Sequence, residues 1–221
     1  FRLRPSGNAG PLATNLAGFI SYQKKDAWTW EHMALTRARV IASSSPEFSD
    51  KINGYLRDTL AAERDRAKLA DDVRSMRARI EKEKGTKDVW DLKQVAGGLV
   101  DIEFTAQFLQ LVHAHKNPEV LAQGTEDALE KLRDAQLLAG GDADLLLQAL
   151  RLYQRLTQVL RMAMSGKFVP ADAPRGVLDL LTRAGGAPNL QHLELELADI
   201  QKSVREKFEE IVGKVEMGEG K

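Results

Sequence analysis

The sequence contains no cysteine, which excludes disulfides and thiolate chemistry. Its four histidines, His32, His113, His115 and His192, include no HExxH spacing, so a zinc site built from His and Cys is not expected. No apolar run approaches the roughly 18 residues that span a bilayer, and no signal peptide precedes the first element. The expectation is a soluble, cytoplasmic protein with no membrane partner. Charge of one sign is missing as well: 32 Lys and Arg balance 32 Asp and Glu, so no global field favours nucleic acid. What is present is dense mixed charge, 29 % of the residues, against about 25 % in an average globular chain. That suits helices whose exposed faces carry both signs. The 221 residues suffice for a sizeable core in one or two domains.

The chain is organised around residues 93–115, KQVAGGLVDIEFTAQFLQLVHAH. A Gly97-Gly98 turn leads into a helix whose Ile102, Phe104, Thr105, Phe108, Leu109, Leu111 and Val112 cover most of the helical wheel. A helix this apolar packs against neighbours on several sides. Glu103, Gln107 and Gln110 make its one polar stripe. Two readings of Glu103 stand: it sits on the wet edge of a central bundle helix, or it lends a carboxylate to a site. Asp101 falls in the first turn, as a cap or first-turn acid or, secondarily, as a ligand. The glycines allow close approach of a backbone or phosphate, and the helix start would present free amides beside Lys93.

Before this helix, FRLR alternates apolar and basic residues like a half-buried or edge strand, and PSGNAGP stops it. Arg2 and Arg4 then share a face, followed by a loop with Ser6 and Gly7. The arrangement suits either a polyanion such as a nucleotide triphosphate or an ordinary strand with solvated Arg. Helical spacing begins near Leu12, and a second helix is expected from Trp28 or Thr29 to about Ala42. Arg37 lies on its apolar face, where it needs a partner or must snorkel. Glu31 and Arg39 lie on another. Residues 47–84 read as a charged helical arm, hinged within residues 61–67, and residues 77–84 alternate in sign like a solvated face. Residues 89–95, VWDLKQV, alternate as a short strand does.

The remainder reads as helices. One starts with the capping signature at Thr125, and another starts at Asp142 or Asp144 after a Gly140-Gly141 stop. A short helix spans residues 175–184, and a last one is capped by Asn189, with Leu193, Leu197, Ile200, Val204, Phe208 and Ile211 as its buried face.

Three phrases in order, RLRPSGNAG, AWTWEHMALTRARVI and DLKQVAGGLVDIEFTAQF, resemble the glutamine synthetase adenylyltransferase family. The likeness runs from Phe1 to about Met164, and the chain is only compatible with it after Pro170. The family pairs two nucleotidyltransferase halves, one adding AMP to a glutamine synthetase tyrosine and one removing it. The phrases around Trp28 and Val100 resemble the C-terminal, adenylylating half. The implied fold is mainly α: a helical bundle domain, residues 28–221, preceded in residues 1–27 by the last strand and loop of a nucleotidyltransferase palm.

The resemblance implies ATP as substrate, Mg²⁺ as metal, and glutamine synthetase and the PII signal protein as partners. It places Arg2, Arg4, Ser6, Gly7, Lys93, Gly97 and Gly98 beside the nucleotide, and Glu31, Arg37, Arg39, Asp101 and Glu103 in support, with Arg37 in a buried ion pair to Glu103 or Asp101. The family's metal-binding Asp residues would fall before Phe1, so a fragment of a longer enzyme, inactive alone, is expected. The competing expectation is a helical module that docks glutamine synthetase or PII.

Overall fold

The computed structural model describes residues 13–164 and 166–215; Arg2, Arg4, Ser6, Gly7 and the expected palm strand lie outside them. The described residues are mainly helical, as expected, and include no strand. Helices α1 (Leu16–Lys25), α2 (Thr29–Leu35), α3 (Pro46–Leu60) and α4 (Arg66–Lys84) precede the central α5 (Leu99–His113). After it come α6 (Thr125–Asp134), α7 (Gly140–Ala163), α8 (Arg175–Gly185) and α9 (Leu190–Ile211). Helix α5 touches α2, α4, α6, α7 and α9. Its Ile102, Phe108 and Leu111 are fully buried, each burial being worth about 2 kcal/mol. The all-round apolar wheel thus becomes a helix with neighbours on every side.

Its polar stripe is drier than the pattern suggests. Gln110 is buried and its side-chain oxygen accepts from the Ala122 amide at 2.8 Å, while Gln107 is more than nine-tenths buried. Only Glu103 at the N-terminal end of the stripe reaches solvent, with its side chain 26 % exposed.

Three local expectations fail for identifiable reasons. Helix α2 stops at Leu35 rather than near Ala42. The Thr36 hydroxyl bonds the Met33 carbonyl at 2.7 Å, and Arg37 and Ala38 make i to i−3 bonds that tighten the turn. Residues 39–42, which include β-branched Val40 and Ile41, then run without helical bonding. Residues 89–95 are turns, not a strand, because side chains compete for their amides. Asp88 accepts from Trp90 N at 3.0 Å and Asp91 from Gln94 N at 3.1 Å. The Trp90 ring is wedged edge-on against Phe168, and its indole N–H donates to Glu194. Gly140 and Gly141 begin α7 instead of stopping α6, which ends at Asp134.

The charged segment breaks between Leu60 and Arg66, within the expected hinge. Of α3 only Leu60 is buried, whereas α4 buries Leu69, Ala70, Val73 and Arg77. Arg77 therefore corrects the reading of residues 77–84 as a solvated face.

Candidate functional site

The Gly97-Gly98 turn is held from three directions. Gly97 adopts φ +77°, and its amide donates to Asp101 Oδ2 at 2.6 Å, so the first-turn acid of α5 caps the turn before its own helix. The Gly97 carbonyl accepts from the Tyr153 hydroxyl of α7 at 3.1 Å. Burial and the charge of Asp101 push the Tyr153 pKa up, so this hydroxyl stays a donor. Backbone of α9 closes the third side: a Cβ on Gly97 would lie 1.7 Å from the Gln201 carbonyl oxygen.

The amides expected to be free at the start of α5 are spent locally. Leu99 N donates to the Leu92 carbonyl, Val100 N to Lys93 and Gly98 N to Val95. Gly97 and Gly98 are buried, and of the trio with Lys93 it is the lysine that reaches solvent.

Asp101 is fully buried and forms the hub of an ionic cluster. Its Oδ1 takes Arg77 Nε of α4, and its Oδ2 lies 3.3 Å from Arg205 Nη1 of α9. Arg205 also holds Glu81 at 3.2 Å and Glu209 at 2.8 Å. Arg77 Nη1 makes no hydrogen bond but stands 3.5 Å from Glu81, a pair by charge alone. Two members of this cluster, Arg77 and Arg205, escape a reading by local charge. A signal existed in spacing: Leu69, Val73 and Arg77 step by four along one face, as do Leu197, Gln201 and Arg205.

The other acids and bases gather at a groove of about 690 Å³ between α1, α2, α4 and α5. Phe19, Trp30 and Phe104 line it, with Glu31 and Arg37 among its polar groups. Glu31 is fixed by the Tyr22 hydroxyl at 2.8 Å and the Trp28 amide at 2.9 Å. Arg37 lies 3.4 Å from Glu103, so the expected pair forms. It is not a buried pair: Arg37 is 54 % exposed, because α2 ends before it and the chain lifts off the apolar face. Its alternative partner, Asp101, belongs to the cluster above. Arg39 is exposed and lines a second, apolar groove with Phe48 and Ile52.

His32 Nε2 donates to the Gln23 carbonyl at 3.1 Å behind this groove. Burial first, then the Arg64 charge, lowers its pKa below 6.5. Burial and Arg66 do the same to His113. In both cases the unfolded chain binds more protons below pH 6.5. Their contribution is therefore complete above that pH and is lost as pH falls toward the folded-state values. Urea midpoints measured at pH 7.5 and 5.0 should fall with acid, and His113→Gln should make that fall smaller. An unchanged fall would remove His113 from the account.

Among the described residues no group of three His, Cys, Asp or Glu side chains could hold a metal ion. These residues do not fit Mg²⁺, and none of them carries a step through it. No helix among the described residues is long and apolar enough to cross a membrane.

Comparison with known proteins matches both ends of this architecture. Residues 1–55 match the family model described as glutamate-ammonia ligase adenylyltransferase, and residues 73–212 that described as GlnD PII-uridylyltransferase. The chain is 50 % identical over 212 residues to a bifunctional glutamine synthetase adenylyltransferase/adenylyl-removing enzyme of Rhodopseudomonas palustris, covering 96 % of this chain and 21 % of that protein. Proteins of the same description from Bradyrhizobium diazoefficiens and Xanthobacter autotrophicus are 49 % identical over 207 residues and 50 % over 211. These cover 94 % and 96 % of this chain and 21 % of each relative. The chain thus spans about a fifth of the length of the curated relatives it matches. It belongs to the glutamine synthetase adenylyltransferase family.

Proposed function

We propose that this chain is the helical domain, with the trailing part of a palm in residues 1–27, of the adenylylating C-terminal half of an enzyme. That enzyme transfers AMP from ATP to a tyrosine of glutamine synthetase in the cytoplasm and so regulates nitrogen assimilation. The observation that carries the reading is Arg37. Its half-exposed guanidinium is held at the mouth of a preformed, mainly apolar groove by Glu103 of the most buried helix. A guanidinium so placed can exchange its carboxylate for phosphate oxygens and neutralise charge that builds on them during transfer. Glu31, tied to Tyr22 and to the Trp28 amide, keeps the start of α2 and so the groove wall in register. Arg2, Arg4, Ser6, Gly7 and Lys93 remain the proposed contacts to the triphosphate, with Gly97, Gly98 and Asp101 holding the backbone beneath it. Mg²⁺ would charge-balance the triphosphate from ligands other than the described residues.

The test uses the product of the complete gene. Arg37→Ala should reduce transfer of labelled AMP from ATP to glutamine synthetase on the order of 100-fold. Because the pair is exposed, stability should change by about 0.5 kcal/mol at most. The 221-residue chain alone should transfer nothing. Full activity of Arg37→Ala would sink the assignment.

A second reading is favoured by one surface: Trp28, Ile41 and Phe48 are 70 %, 87 % and 43 % exposed along α2 and α3. Apolar exposure of this kind marks docking faces, and the match of residues 73–212 supports a link to PII. In this reading the chain is a module that docks glutamine synthetase or PII. Capture of either by the chain, with no ATP bound in calorimetry, would favour it.

A further inference from the structure

The chain has three tyrosines, and only one of their hydroxyls meets a base. Tyr153 is fully buried and donates to the Gly97 carbonyl, while Tyr55 donates to the Ile20 carbonyl at 3.0 Å. A backbone carbonyl accepts a hydrogen bond but takes no proton. Tyr22 alone donates to a carboxylate: its hydroxyl stands 2.8 Å from Glu31 Oε1 and 2.9 Å from Oε2. The Trp28 amide, 2.9 Å from Oε2, fixes that carboxylate in place.

Tyr22, Glu31 and Arg37 line the same groove. Tyr22 is partly buried and Arg37 half-exposed, so neither is closed off from solvent. A phenol is protonated at neutral pH and stays a weak nucleophile until a base within about 3 Å removes its proton. Glu31 stands at that distance. Arg37 is the group of the groove that phosphate oxygens would meet. Phenol, proton acceptor and cation are what transfer of an adenylyl group to a tyrosine needs on the acceptor side. Here the acceptor belongs to the chain itself.

We infer that Tyr22 is an internal acceptor: without glutamine synthetase the enzyme adenylylates itself at Tyr22 and so closes its own groove. The phenolic oxygen attacks the α-phosphorus of ATP, and the bond from that phosphorus to the oxygen bridging it to the β-phosphate breaks. Pyrophosphate leaves, and the phenolic proton passes to the Glu31 carboxylate and on to solvent. The product is a phosphodiester between Tyr22 and AMP, tethered to the groove wall with its phosphate near Arg37. The inference rests on the adenylyl-transfer reading, since ATP is the donor there. It adds a second acceptor and a brake.

The complete gene product, incubated with ATP labelled in the α-phosphate and without glutamine synthetase, should retain label after denaturation. Peptide mass spectrometry should place an adenylyl group on Tyr22. Tyr22→Phe keeps the ring and should lower incorporation into the enzyme at least about tenfold. Glu31→Gln can still accept from the Trp28 amide but takes no proton, and should slow self-labelling on the order of 100-fold at an unchanged melting temperature. Should either variant fail to fold, the peptide map of the wild type carries the same decision. Transfer to glutamine synthetase should fall in proportion to the occupancy of Tyr22. An enzyme that labels glutamine synthetase but not itself, or itself only elsewhere, overturns the inference and leaves adenylyl transfer standing. Label on Tyr22 without transfer to glutamine synthetase by fresh enzyme supports the inference and overturns glutamine synthetase as the acceptor. Full-rate transfer by enzyme labelled at every Tyr22 overturns the brake.

Discussion

Asp101→Asn is expected to lower the unfolding free energy by about 3 kcal/mol, the cost of leaving a buried partner charge uncompensated. In melting temperature that is roughly 6–12 °C for a chain of this size. The residue looks replaceable from sequence, since Asn is a good helix cap. Its surroundings say otherwise. Arg77 is fully buried, and its other acid, Glu81, is 3.5 Å away without hydrogen-bond geometry. Removing the Asp101 charge strands that guanidinium and also weakens the contact to Arg205. Asparagine can still accept from Gly97 N, so the capping bond survives and the ionic term is isolated. Adding Arg77→Met should restore more than half of the loss, because an apolar chain of similar length suits the row of Leu69 and Val73. Urea denaturation of the four proteins completes the cycle. Equal instability of the single and double variants would shift the cost from the ion pair to the turn.

The same cluster marks where the sequence is legible and where it is not. The apolar wheel of α5 announces a helix enclosed on all sides, and the structure surrounds it with five others. The cap at Asn189 and the buried Leu193, Leu197, Val204 and Phe208 of α9 follow equally from local pattern. Local pattern also brings Arg37 and Glu103 into the same argument once the family resemblance orients α2 toward α5. Their exposure is not legible there, because a one-residue competition, Thr36 for the Met33 carbonyl, ends the helix two residues too soon for Arg37 to be buried. Residues 89–95 mislead in the same way: alternation is visible, whereas amides captured by Asp88 and Asp91 are not. Arg77 is harder still. Its neighbours alternate in charge, and the pairing with Asp101 of α5, 24 residues away, makes it a core residue. Local charge carries no trace of that pairing, and only the i, i+4 row of Leu69, Val73 and Arg77 places the residue on the buried face.

Gly97→Ala should be the most damaging glycine-to-alanine change among the described residues, at about 4 kcal/mol. Two costs add. The residue sits at φ +77°, where alanine pays roughly 1 kcal/mol or more relative to glycine. The new methyl would also stand 1.7 Å from the Gln201 oxygen, 2.5 Å from its carbonyl carbon and 2.9 Å from its Cα. All three atoms are backbone of α9, so no side chain can swing aside, and relief requires moving the helix or the turn. Either motion strains the Gln201–Val89 bond, the Arg205–Asp101 contact and the Tyr153 hydrogen bond together. Gly141→Ala is the matched control. It lies within α7 with nothing inside 4 Å of its added Cβ, and should be neutral or stabilising by up to about 1 kcal/mol. Thermal unfolding followed by circular dichroism reads both. Should Gly97→Ala melt within about 2 °C of the wild type, α9 does not clamp the turn, and the glycine would be free for the close phosphate approach that its sequence context suggests. A large loss leaves Lys93 and Arg37, not the turn, as the groups of this segment able to meet phosphate from solvent.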